Sequence, residues 1–94
     1  MIEVRKTDEF DVWLSALTDH KAVAKITTRI ERLALGNPGD VRAVGGGVSE
    51  MPLWSGLPGL FKQTGKEIVL LLCGGDKATQ DKDIRRAKEI AAEL

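Results

Sequence analysis

The chain has 94 residues, 43% hydrophobic and 30% charged, and its fourteen basic and fourteen acidic side chains cancel to a formal net charge of zero. These values describe one small globular domain and exclude a uniformly basic nucleic-acid binder, so any nucleic-acid contact must come from cations gathered on one face. A single histidine and a single cysteine exclude an intramolecular disulfide and the usual His/Cys zinc sets.

Residues 2–5 alternate apolar and charged, as a half-buried strand does. Thr7 is placed to cap a helix, with Asp8 and Glu9 against its positive end. Phe10, Trp13, Leu14 and Leu17 then recur at helical spacing and form one apolar stripe. Thr18-Asp19-His20 interrupts the pattern and caps a second helix, expected over residues 21–35 and closed by Gly36 with Pro38 beyond it. Val23, Ile26, Ile30 and Leu33 share one side of that helix. Lys21, Lys25, Arg29 and Arg32 fall within about 80° of one another on the opposite side. Two helices so closely linked form an αα-hairpin.

Asn37-Pro-Gly-Asp40 has turn chemistry. Residues 41–44 and 48–51 read as strands around Gly45-Gly46-Gly47. Residues 52–59 are not expected to be a strand, because Pro52, Pro58, Gly56 and Gly59 interrupt them. Residues 60–63 return to strand, with a turn at Thr64-Gly65-Lys66. Six apolar residues, 68–73, then suit a strand covered on both faces, with Cys73 as a small buried hydrophobe. Gly74 and Gly75 end that strand, and a last amphipathic helix over residues 79–94 presents Ile84, Ala87, Ile90 and Ala91. Strand, two helices, several strands and a helix, segregated rather than alternating, predict an α+β sandwich with helices on a mostly antiparallel sheet. No apolar run approaches the ~20 residues of a membrane span. Glu3, Arg5 and Lys6 break any signal-peptide pattern, so the expectation is a cytoplasmic protein with no membrane partner.

Ser15, Ser49 and Ser55 lack a nucleophile-elbow setting, and the one histidine, His20, sits at the turn between helices. Gly45-Gly46-Gly47 lacks the lysine of a phosphate loop. No metal and no cofactor is expected. Two cationic groups remain. The stripe Lys21, Lys25, Arg29 and Arg32 can follow a phosphate backbone, or can be the solvated face opposite a core stripe. Lys77, Gln80 and Lys82 follow the apolar strand, where open α/β layers place ligands, and Arg42 joins them if the sheet brings it near. A strand-end lysine can stabilise the extra negative charge of a phosphoryl transition state. Cleavage of RNA by its own 2′-hydroxyl needs, besides this, a proton acceptor and a proton donor. The same residues can instead be solvated while Asp76, Thr79 and Asp81 cap the last helix. Trp54, beside Leu53 and the 56–59 glycines and proline, can stack on a base, cover a partner or fill the core.

Several motifs occur in a specific order: Phe10-x-x-Trp13-Leu14, Arg29-Ile-x-Arg32-Leu-x-x-Gly36-Asn37, Gly39-Asp40, Gly47-Val48-Ser49-Glu50, and Leu71-Leu-Cys-Gly-Gly-Asp-Lys77 with Gln80 and Lys82-Asp83-Ile84. In this order they resemble the HigB-like "addiction module killer" group of the RelE/ParE toxin superfamily, over nearly the whole chain. The resemblance implies a RelE-like fold and the toxin role in a type II toxin–antitoxin pair. It further implies ribosome-dependent cleavage of messenger RNA, a helix-turn-helix antitoxin partner, and operator DNA reached only through that antitoxin. On this likeness Lys77 matches the strand-end basic position at the RNA phosphate. The ParE branch, which inhibits DNA gyrase, is the alternative within the superfamily.

Residues 52–60 depart from the family pattern. Members resembled here carry Arg-x-x-Tyr-Gly-Pro-Gly-Tyr-Arg-Val-Tyr before the phenylalanine, whereas this chain has Pro52-Leu-Trp-Ser-Gly-Leu-Pro-Gly-Leu60 and no tyrosine anywhere. DNA encoding Tyr-Gly-Pro-Gly-Tyr-Arg-Val-Tyr can, when shifted in frame, code for the residues from Trp54 to Phe61, so two compensating frameshifts are the expected origin. Without the arginine a bidentate phosphate ligand is lost, and without the tyrosines a stacking shelf worth about 1–3 kcal/mol per base. The expectation is weak or absent RNA cleavage, with antitoxin binding retained as the activity of a catalytically inactive homologue.

Overall fold

The computed structural model describes residues 2–37, 39–54, 57–73 and 79–94. Strand β1 (Glu3–Lys6) leads directly into helix α1 (Asp8–Ser15). Thr7 ends the one and starts the other, its Oγ1 accepting the Phe10 amide at 3.2 Å. Asp19 does the same for α2 (His20–Ala34), accepting from the Lys21 amide at 2.9 Å and the Ala22 amide at 3.4 Å. That helix stops where the Gly36 amide turns back to the Leu33 carbonyl and the Asn37 amide to the Arg32 carbonyl, the paired bonds of a Schellman ending.

The remaining strands are β2 (Arg42–Gly45), β3 (Val48–Trp54), β4 (Leu57–Thr64) and β5 (Glu67–Cys73), followed by α3 (Gln80–Ala92). They form one five-stranded mixed sheet in the order β1-β5-β4-β3-β2. β1 runs parallel to β5, and the other three pairings are antiparallel. The α+β class expected from the order of elements is thus the class observed. Gly46 and Gly47, at φ of 62° and 77°, make the β2–β3 turn, and two successive positive angles are what such a hairpin demands of its central residues.

The strand assignment of residues 52–59 has to be corrected. Residues 52–54 lie inside β3 and residues 57–59 inside β4, with Met51 opposite Gly59, Pro52 opposite Pro58 and Trp54 opposite Leu57. The prolines are tolerated for a geometric reason. Pairs in an antiparallel ladder alternate between exchanging hydrogen bonds and exchanging none, and two facing prolines can only be the second kind. Their backbone groups therefore point away from each other, and the ladder on either side keeps its donors. Pro52 also lies two residues past the last β2 partner of β3, so no ladder bond from β2 is lost.

Alternation along the strands gives the sheet two cores. On one face Met51, Leu53, Phe61, Ile68 and Leu70 pack against Phe10 of α1 and Ile26 and Leu33 of α2. Trp13 joins them, its ring 5.6 Å from that of Phe10. On the other face Val48 and Leu60 meet Ala87, Ile90 and Ala91 of α3. Two polar contacts add to the second layer. Lys62 donates to the Ala91 carbonyl at 3.2 Å, at the helix's negative end. Arg86 donates to Glu9 at the start of α1, and so ties the two helical layers together.

Candidate nucleic-acid interface

Helix α2 lays its apolar side on the sheet and turns its cations outward, as the 3.6-residue period requires. Lys21, Lys25 and Arg32 are exposed, while Arg29 is half-buried. The four do not behave alike. Lys21 and Arg32 make no ion pair among the described residues. Arg29 reaches across to β3 and donates from Nη2 to the Pro52 carbonyl at 2.8 Å. Its guanidinium lies against Gly39, where a β-carbon would stand 3.3 Å from Nη2.

The described members of the second group are dispersed. Lys77 and Asp76 lie outside the described residues. Gln80 opens α3 half-buried, and Lys82 is exposed two residues later. Two residues on a helix stand about 200° apart, so these side chains leave α3 in different directions. Thr79 donates to the Asp83 carboxylate at 2.9 Å in the same turn. Arg42 is at the outer strand of the sheet and is paired with Glu50 at 2.7 Å. The structure therefore gives Arg42 a carboxylate partner that the sequence reading did not assign.

Glu50 is itself a finding. It stands opposite Leu60 on the α3 side of the sheet, and its side chain is only 15% exposed. One carboxylate oxygen holds Arg42; the other, Oε2, is buried and has no hydrogen-bond partner among the described residues. A buried oxygen left so costs about 1–3 kcal/mol. The sequence carried a signal for it, since Glu50 takes the inward turn of a strand whose neighbour on that face is Val48. The Arg86 network carried none, because Glu9 and Arg86 are 77 residues apart. Hydrogen bonds first to Glu9 and then to Glu89 raise the Arg86 pKa above its ordinary value.

Among the described residues no group of three His, Cys, Asp or Glu side chains could hold a metal ion. No described helix is long and apolar enough to cross a membrane. What the arrangement offers chemically is an outward row of cations on α2, with one guanidinium fixed at its centre.

The chain is 46% identical, over 95 aligned residues, to an uncharacterized protein of Haemophilus influenzae. The match covers 99% of this chain and 96% of that protein, and so runs through residues 52–60. The two belong to one family. No family model matches the chain.

Proposed function

We propose that the protein is the toxin component of a type II toxin–antitoxin pair, of RelE-like fold, which approaches RNA through the cations of α2 and the strand-end segment that contains Lys77. One observation carries the reading: the ordered motifs of the HigB-like group fall on successive elements of an α+β fold of the expected order. Phe10-x-x-Trp13-Leu14 lies on α1, the Arg29 and Arg32 motif on α2, Val48-Ser49-Glu50 on β3, and Leu71-Leu-Cys73 at the end of β5. In the sequence, Lys77 comes between β5 and α3, three residues before Gln80. In its active form such a protein cuts messenger RNA on the ribosome, with Lys77 at the phosphate. Its partners are the ribosome, the message and a helix-turn-helix antitoxin.

A specific observation favours a second reading, a catalytically inactive homologue that only engages the antitoxin. Residues 52–54 and 57–60 lie in the paired strands β3 and β4 with two prolines facing, and residues 52–60 carry none of the family's tyrosines or arginines. The deciding experiment is induced expression of the chain alone in a bacterium, following growth and mapping new 5′ ends on messages. Growth arrest, with cuts that vanish when translation initiation is blocked, establishes the nuclease. Normal growth and intact messages with soluble protein present establish the inactive homologue if a co-expressed antitoxin is bound. If no antitoxin is bound either, the toxin reading falls.

A further inference from the structure

The six arginines of the chain sort into two groups. Arg5 is paired with Glu67, Arg42 with Glu50, and Arg86 with Glu9 and Glu89. Arg29, Arg32 and Arg85 have no carboxylate within ion-pair distance among the described residues, and of these three only Arg29 is half-buried. Asp40 follows directly on Gly39, against which the guanidinium lies, yet it makes no ion pair with Arg29. A partly desolvated cation is thus held without a neutralising charge, which is the state that a bound anion would relieve.

The cation is also held in place. Nη2 is fixed by the Pro52 carbonyl at 2.8 Å, and Gly39 leaves room for both terminal nitrogens, with Nη1 3.6 Å from where its β-carbon would be. A neutral carbonyl uses one donor of a five-donor fork. Nε and Nη1 have no other described partner and remain for a second acceptor. Lys25 and Arg32 stand one turn to either side along the helix and carry the same charge.

We infer that Arg29 is a preorganised anchor for a phosphodiester group, with the Pro52 carbonyl and Gly39 as the elements that position it. This rests on the nucleic-acid reading of α2 given above and assigns the residue that fixes the backbone's register on it. The distinction from the rest of the stripe is geometric. Lysine keeps the charge of arginine but not its planar fork, so exchange should matter where the fork is fixed and little where the side chain is mobile.

The test is binding of a fluorescein-labelled single-stranded RNA oligonucleotide, followed by anisotropy over a salt series. The proteins are wild type, Arg29→Lys, Arg29→Ala and Arg32→Lys. Arg29→Lys is expected to weaken binding about tenfold and Arg32→Lys less than about twofold, with the salt slope unchanged in both because charge is kept. Arg29→Ala is expected to lower that slope by about one as well. Equal losses in the two lysine variants would overturn the anchor while leaving a diffuse basic face. Absence of RNA binding by the wild type would overturn the nucleic-acid reading and the anchor with it. Thermal melts in inorganic sulfate give a second readout, independent of RNA. Sulfate raises the melting temperature of any folded protein by exclusion, and site binding should add to that rise in wild type and Arg32→Lys but not in Arg29→Lys; an equal rise in all three would also overturn the anchor.

Discussion

The two faces of the sheet are built from different materials. Beneath α1 and α2 lie Phe10, Ile26, Leu33, Met51 and Phe61, each buried and each large. Beneath α3 the helix contributes two alanines and one isoleucine, and polar contacts complete the layer: Lys62 on the Ala91 carbonyl and Arg86 on Glu9. Stability scales with apolar area removed from water, at about 25 cal/mol per Å². The α1–α2 face should therefore carry most of the fold's stability. The α3 face brings polar groups close to the sheet, and holds the buried Glu50 oxygen that has no partner among the described residues. Large apolar side chains and partly exposed polar ones thus lie on opposite faces of one sheet.

The sharpest way to break this comparison is one truncation on each side. Phe10→Ala should cost about 3–5 kcal/mol, a large share of the ~5–15 kcal/mol available to a domain. Ile90→Ala on α3 should cost about 2 kcal/mol, the low end for its type, because Ile90 keeps 9% of its surface exposed. Urea unfolding of both variants measures the difference. Equal losses would mean that the α3 face is as cohesive as the other.

A smaller loss probes how α1 is attached. Thr7→Ala removes the Oγ1 that accepts the Phe10 amide, at about 1 kcal/mol. The same substitution should speed amide exchange in the first turn of α1 and leave α3 untouched. Uniform acceleration throughout the protein would show that the two helical layers open together.

The large-residue face was the legible one. Its stripes repeat at helical spacing in Phe10, Trp13 and Leu14 and in Ile26, Ile30 and Leu33, and period alone sufficed to place them. The α+β order, the caps at Thr7 and Asp19, and the burial of Ala87, Ile90 and Ala91 were equally readable. Residues 52–59 were not. Proline and glycine content argues against a strand one residue at a time, whereas what decides is whether two prolines face each other across a non-bonded pair. That depends on register, and register is set by the whole hairpin. The candidate site was legible as residue types rather than contacts. The period of α2 put Lys21, Lys25, Arg29 and Arg32 on one side, but the Arg29 bond to Pro52 and the Arg42 pair with Glu50 join segments whose proximity only the fold creates. Lys77 lies outside the described residues, so the geometry bears on Gln80 and Lys82 alone.

Glu50 sharpens the comparison from the polar side. Its pairing with Arg42 involves a guanidinium side chain that is 67% exposed, and pairs of that kind contribute little. Its buried oxygen, in contrast, is unsatisfied. Glu50→Met should then be neutral or stabilising, by up to about 1 kcal/mol, since the arginine left behind is free to enter solvent. A loss of stability beyond about 1 kcal/mol would show that the pair is a net contributor. A stable Glu50→Met that no longer binds RNA or antitoxin would instead mark the carboxylate as retained for function against its own structural cost.

The smallest effect belongs to Arg86. Its side chain is 49% exposed and that of Glu9 is 42% exposed, so water and salt screen the link between the layers. The raised Arg86 pKa gives stability no pH dependence near neutral pH. A group already protonated below its unfolded pKa contributes its full share there, and loses it only as pH climbs through the higher folded value. Arg86→Ala should leave the melting temperature unchanged at physiological ionic strength and lower it slightly in low salt, as paired thermal melts would show. If the loss were large and independent of salt, the contact between α1 and α3 would have to act through packing of the arginine stem rather than through charge. The α3 face would then be held by apolar contact as the other face is, and the contrast between them would be one of residue size alone.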